Sequence, residues 1–268
     1  MHVLCAVVLA APFTLAALAL PAAPLAPIHA RCTISPSEEP GQISLRVYQA
    51  NQDDAKDCDE DERHCSSSFS HDPFPRLTGV LRADLSREGA TLTAALNAEA
   101  GNFACSGVVH QGVLKGNATF TPSQAFVDRM EQMGFTGYTS EKLEAYAFLD
   151  VESAWARSLK TAGVQGMNQD NLIAMRIFNV EPAYIASLTA LGYPMPDADK
   201  LIALRVQKVD PEEVRQLRAL GFHPSLDELV QCRIFHITPD FVRQMQSRGF
   251  KDLTVSKLVQ IKIFKLDE

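Results

Sequence analysis

Charge is absent from residues 1–30: no Asp, Glu, Lys or Arg occurs there, and between Val3 and Ala26 the one polar side chain is Thr14. A run of that length could span a membrane. Against a span, Pro12, Pro21, Pro24 and Pro27 interrupt any long helix, and alanine dominates over leucine and isoleucine. A cleaved secretory signal fits the composition, ending after Ala30 or after Ala19, although the usual basic start of such a signal is also missing. The alternative is an uncleaved N-terminal anchor. Net positive charge is lacking too. At a formal −7 the chain has no basic field to hold nucleic acid or anionic lipid. Membrane contact is therefore expected only through an uncleaved N-terminal segment.

Catalytic signatures are equally scarce. There is no GxSxG elbow, no HExxH and no phosphate loop, and His110, His223 and His236 fall in different predicted elements without a paired Ser or Cys motif. No catalytic residue, cofactor or metal is expected. "CDEDERHC" with His71 contains chemically possible zinc ligands in Cys58, His64, Cys65 and His71, but the spacing matches no usual site. Calcium at Asp57, Asp59, Glu60 and Asp61 lacks the alternating ligands and the glycine of a calcium loop. "NAT" at Asn117 is a sequon, relevant only where the host glycosylates exported proteins.

Export and cysteine usage agree. With Cys5 in the signal, Cys32, Cys58, Cys65, Cys105 and Cys232 remain. The simplest pairing joins Cys58 to Cys65 and Cys32 to Cys105, although sequence does not fix connectivity. Cys232 sits in a helical pattern among apolar neighbours, the setting of a buried, inert thiol.

What is present divides into two grammars. Residues 31–119 read as a small antiparallel β domain, with candidate strands in "QISLRVYQA", "LTGVLRADL", "GATLTAALNAE", "GNFACSGVVHQG" and "VLKGNATFTP". The acidic stretch from Asn51 to Asp72 reads as a loop with its tip stapled by Cys58 and Cys65. From Phe120 to Glu268 the pattern is helical and repeats. Phe126, Trp155, Tyr184, Glu213 and Phe241 are equivalent, at intervals of 29, 29, 29 and 28 residues. Gly134, Gly163, Gly192, Gly221 and Gly249 keep step, as do Leu143, Leu172, Leu201, Leu229 and Leu258. Pro122, Pro182, Pro211 and Pro239 mark first-helix starts, and the glycines mark their ends. Thr139, Asn168, Asp197, Ser225 and Thr254 are the expected caps of second helices. The expected fold class is thus α+β: a β domain followed by an α-helical solenoid of five αα-hairpin repeats of about 29 residues. The β domain should cap one end of the stack, and Lys262, Lys265, Asp267 and Glu268 should give the other end a polar finish.

"TFTPSQAFVDRMEQMGF" and the units of form V-x-P-x-Y/F … L-x-x-LG-Y/F … L-I-A-L-R resemble a bacterial exported helical-repeat family. It is similar to the extracytoplasmic repeats appended to membrane metallopeptidases of the beta-lactam-sensor type. The resemblance covers roughly Gly101 to the C-terminus. The peptidase of those proteins carries an HExxH motif and several membrane helices, and neither occurs in this sequence. The resemblance implies a sensing or interaction role, identifies no ligand and carries over no site residue.

The most regular polar feature is a basic column. Arg176, Arg205, Arg233 and Lys262 each stand four residues after the repeat leucine, with Ala147 in that place in the first unit. Such a column could grip carboxylates of a peptide or glycan. It could equally form inter-repeat ion pairs with Glu152, Glu181 and Asp210 or lie over the core. The expected function is a non-enzymatic, periplasmic or secreted module that binds a protein or peptide on its repeat surface. The alternatives are an envelope-acting hydrolase or enzyme accessory using His64 and His71, and a structural envelope spacer.

Overall fold

The computed structural model describes residues 25–48, 67–71 and 74–265. The chain is α+β: a six-stranded antiparallel sheet packed on the second of ten helices, all counts among the described residues. The strands are β1 (Ile28–Pro36), β2 (Ile43–Tyr48), β3 (Ser67–His71), β4 (Thr91–Ala98), β5 (Gly101–His110) and β6 (Val113–Pro122). Their order in the sheet is β3-β2-β1-β6-β5-β4. One face is apolar because alternate side chains point the same way. Ile34, Leu45, Val47, Leu96, Phe103, Leu114 and Phe120 are all buried there.

Three strand expectations change. Ile28–Pro36, left unassigned from sequence, is a central strand paired with both β2 and β6. A signal ending at Ala30 would remove Ile28, His29 and Ala30, which face Phe120, Thr119 and Ala118, whereas one ending at Ala19 leaves the strand whole. "LTGVLRADL" is not a strand. Thr78 makes a single bridge to Ala95, and Arg82–Ser86 turns into a 3-10 helix. There the Asp84 carboxylate accepts from the Leu81 N–H at 2.9 Å, a local bond that competes with a ladder. The last part of the presumed acidic loop, Ser67–His71, pairs with β2 as an edge strand. The Cys58–Cys65 staple, His64 and the acidic cluster at Asp57, Asp59, Glu60 and Asp61 lie outside the described residues.

The Cys32–Cys105 disulfide is present, joining β1 to β5 on either side of β6 with Cα atoms 6.1 Å apart. Beneath it β6 offers Gly116 opposite Cys32 and Ala118 opposite Cys105. Gly116 also faces Gly107, and a Cβ on Gly116 would lie 2.0 Å from the Ser106 carbonyl oxygen, so this close strand approach admits only glycine.

The helices are α1 (Gln124–Gln132), α2 (Ser140–Leu149), α3 (Ser153–Thr161), α4 (Gln169–Ile177), α5 (Pro182–Ala190), α6 (Ala198–Val206), α7 (Pro211–Ala219), α8 (Leu226–Ile234), α9 (Pro239–Ser247) and α10 (Val255–Ile263). The expected second-helix caps all act as such. Thr139, Asn168, Asp197, Ser225 and Thr254 each accept from a backbone N–H two or three residues on. Pro182, Pro211 and Pro239 begin α5, α7 and α9. Pro122 does not begin a helix: it ends β6, and Ser123 caps α1, which moves the boundary between the two regions from 119/120 to 122/123.

First helices end on glycine with positive φ. At α1, the Gly134 N–H bonds the Glu131 carbonyl and the Phe135 N–H reaches back to Met130, the paired bonds of a Schellman motif. Second helices reach the same turn without glycine, at Asp150, Asn179, Lys208, His236 and Lys265, with φ between 51° and 61°. Even-numbered helices pack each on the next, α2 to α10, while α1 packs on α3, α5 on α7 and α7 on α9. One continuous core runs from the sheet to Leu229, and a second, smaller cluster closes around Phe241 and Leu258.

Candidate functional site

The sheet and the helices meet at α2, which packs on β4, β5 and β6. Phe148 of α2 is buried, edge-on to Phe103 at 5.1 Å and to Phe74 at 6.1 Å. Arg76 seals one end, donating to the Ala147 and Phe148 carbonyls at 3.0 and 3.2 Å and to Asp150 at 2.5 Å. Glu99, in the β4–β5 turn, seals the other. It accepts from the Ser153 hydroxyl and N–H at 2.5 and 2.7 Å and from Arg129 at 2.8 Å. Partial burial opposes its charge, but those donors outweigh it and hold its carboxyl below the usual range.

The basic column faces the chain's own repeats. Arg176 donates through Nε to the Leu149 carbonyl at 3.2 Å, reaches Glu181 and Asp150 at 3.1 and 3.3 Å, and lies 5.4 Å over the Trp155 ring. Arg205 donates to the Phe178 carbonyl at 2.8 Å and covers Tyr184 at 4.9 Å. Arg233 donates to the Gln207 carbonyl at 3.1 Å, and Lys262 lies 3.9 Å over Phe241. Each arginine therefore binds the carbonyl end of the preceding even helix, where positive charge opposes the helix dipole. In the fourth unit the aromatic is replaced by Glu213, and Arg233 pairs with it at 2.7 Å instead of stacking. Of the expected acidic partners Glu181 is used; the others in the column are Asp150 and Glu213.

Trp155, Tyr184 and Phe241 hold equivalent places, each buried beneath the cation of its own unit. The Tyr184 hydroxyl donates to the Val209 carbonyl at 3.2 Å, and burial pushes its pKa up to about 12. Burial likewise raises the Cys232 thiol to about 11, which leaves little thiolate to react.

A second register of residues is exposed. One position beyond the basic column stand Phe148, Ile177, Val206, Ile234 and Ile263, and one helical turn earlier stand Glu144, Ile173, Ile202, Val230 and Val259. The sheet covers the first rung, leaving Phe148 only 4% accessible and Glu144 7%. On the other four rungs the same position is 51%, 41%, 50% and 55% accessible. The outer face of α4, α6, α8 and α10 thus carries a row of four exposed aliphatic residues, each beside a half-buried partner (Ile173, Ile202, Val230 or Val259) that packs on the core. Aligning the repeats on their leucines exposes this signal in the sequence, where five apolar residues recur at one position. It is masked there because isolated apolar residues at helix ends look like core. Of the polar finish expected at the C-terminal end, Lys265 is exposed and Lys262 covers Phe241, while Phe264 is 68% accessible and Asp267 and Glu268 lie outside the described residues.

The remaining candidates are scattered. His110 bonds Glu88 at 2.6 Å beside the β5–β6 turn, His236 occupies the left-handed turn after α8, and His223 follows α7. Asn117 is exposed on the polar face of β6. Among the described residues no group of His, Cys, Asp and Glu is placed to hold a metal, and no helix is long and apolar enough to cross a membrane. Comparison of the chain with protein-family models, curated proteins and solved structures returned no match.

Proposed function

We propose that the chain is a non-enzymatic, extracytoplasmic interaction or sensing module. Its five αα-hairpins stack as an α-solenoid capped by the disulfide-locked sheet, and it binds a protein or peptide on the outer face of the even-numbered helices. One observation carries this reading: the face that the sheet buries at Phe148 continues, uncovered, through Ile177, Val206, Ile234 and Ile263. Apolar side chains repeated in register on one face mark association surfaces in folded proteins. The resemblance to extracytoplasmic repeats of sensor-type proteins points the same way, as does a Cys32–Cys105 bridge suited to an oxidising compartment. The basic column contributes by locking rungs together, so that the face keeps its spacing.

A photo-reactive residue at Val206 tests the reading in cells of the native host. Crosslinking to a discrete polypeptide, abolished by Ile177→Lys with Ile234→Lys, is the expected result. The absence of any crosslinked species would overturn it. Mass spectrometry of the same protein reads the N-terminus, and a start between residues 20 and 28 is the outcome expected of a cleaved signal that leaves β1 intact.

A further inference from the structure

Four rungs of the array carry the same exposed aliphatic residue beside a half-buried one, and the edges of that strip differ in charge. At the N-terminal edge of the even helices stand Asp170, Asp199 and Asp227, the first and last bonded to Lys142 and Lys200 yet still 76% and 75% accessible. At the C-terminal edge stand Lys208, His236 and Lys265, all exposed. We infer that this strip is a self-association surface, on which two copies pack face to face about a two-fold axis running along the array. The inference rests on the proposed reading of the outer face as a binding surface and names its occupant as a second copy of this chain.

Three observations select that occupant. The first is continuity: within the chain the first rung is already a packed interface, so its neighbours extend a face that is covered at one end. The second is charge. A two-fold axis along the array reverses the helix direction in the second copy, bringing the acidic edge of each strip to the basic edge of the other. Asp199 then meets Lys208 of the other copy on the same rung, and facing helix dipoles run antiparallel. An axis across the array would set like charges together, which an interface avoids. The third is size. Helices of nine residues are about 13 Å long, and four of them stacked at about 9–10 Å cover about 500 Å² in projection. That is the order of the ~800 Å² of accessible surface that a stable interface takes from each partner.

Sedimentation of the full processed chain from about 1 to about 100 μM tests the inference. The expected result is a mass rising from monomer to dimer. Val206→Lys with Ile234→Lys should raise the dissociation constant by more than about tenfold while the circular dichroism spectrum stays unchanged. Both positions are open to solvent, so the fold tolerates the change; should the lysine pair unfold the chain, Val206→Gln with Ile234→Gln takes its place. Lys208→Asp should weaken the dimer, and adding Asp199→Lys in the same chain should restore it. A chain monomeric throughout, or a dimer indifferent to these substitutions, overturns the inference. A monomer whose Val206 photo-probe captures a different polypeptide overturns the second-copy assignment alone. A monomer that captures nothing sinks the interaction reading as well.

Discussion

The sheet and the helical array differ in their longest-range partners, because the hairpins β1–β2, β4–β5 and β5–β6 are joined into one sheet by the distant β1–β6 pairing. β1 finds β6 across some ninety residues, as in the pairing of Ile28 with Phe120, and the disulfide closes 73 residues. In the array each unit touches the next: Arg205 reaches back 27 residues to Phe178, and Tyr184 reaches forward 25 to Val209. Long-range pairings are lost together, because removing one strand leaves its neighbours' N–H and C=O groups unmatched. Nearest-neighbour contacts are lost unit by unit. The sheet is therefore expected to unfold as a unit, and the array to tolerate the loss of a unit.

Reducing the Cys32–Cys105 bridge should break this contrast from the sheet side and give the largest effect. The loop it closes corresponds to about 4 kcal/mol of unfolded-state entropy. Calorimetry should show the sheet's transition falling well below that of the array, and equal shifts in both would mean that the two regions unfold as one. Deleting Pro182–Asp210, one whole 29-residue unit, should cost less. Glu181 would then precede Pro211 as Asp210 does now, and circular dichroism should lose two helices' worth of signal with a cooperative transition retained. An unfolded product would show that the units are not interchangeable.

Much of the array was legible because each unit writes the same local chemistry. All five second-helix caps, the left-handed glycines and the recurring aromatics follow from residue type and interval alone. The sheet was less legible for the opposite reason. β1 borders the signal-like run, and β3 is short and polar, so only pairing with β2 and β6 makes strands of them. "LTGVLRADL" alternates as a strand should, yet Asp84 closes a local bond to Leu81 and Arg82 donates to the carbonyls of Ser37, Glu39 and Gln42. The candidate surface was half legible. The basic column and its partner Glu181 were found in register, but the carbonyls that Arg176, Arg205 and Arg233 also bind are displayed by no sequence pattern. The apolar row beside it has meaning only once the sheet is seen to cover its first member.

Arg176 sharpens the comparison, because its network joins Arg76 of the sheet region to α2, α4 and α5 through Asp150 and Glu181. Arg176→Ala should cost about 1–2 kcal/mol, read by urea denaturation, since it removes a carbonyl bond and two partly exposed ion pairs. Arg205→Ala lacks the Asp150 link and should cost less. Equal losses would mean that the network adds nothing at the join.

The smallest effects are in the pH dependence, where each region has its own limb. The Glu99 carboxyl is held below its ordinary 4.5 in the folded chain, so its contribution is complete above that pH and fades as pH falls further. Tyr184 runs the other way. Its folded-state pKa is about 12 against an ordinary 10.0, so the neutral hydroxyl's contribution is complete below pH 10 and fades as pH rises toward 12. Glu99→Gln should flatten the acid limb of stability against pH and leave the alkaline limb alone, since Glu99 ties the sheet to α1 and α3. Tyr184→Phe should flatten the alkaline limb alone, since Tyr184 bonds only within the array. If either substitution flattens both limbs, proton binding at the sheet and within the array is coupled, and the division between the two regions fails at the level of single side chains.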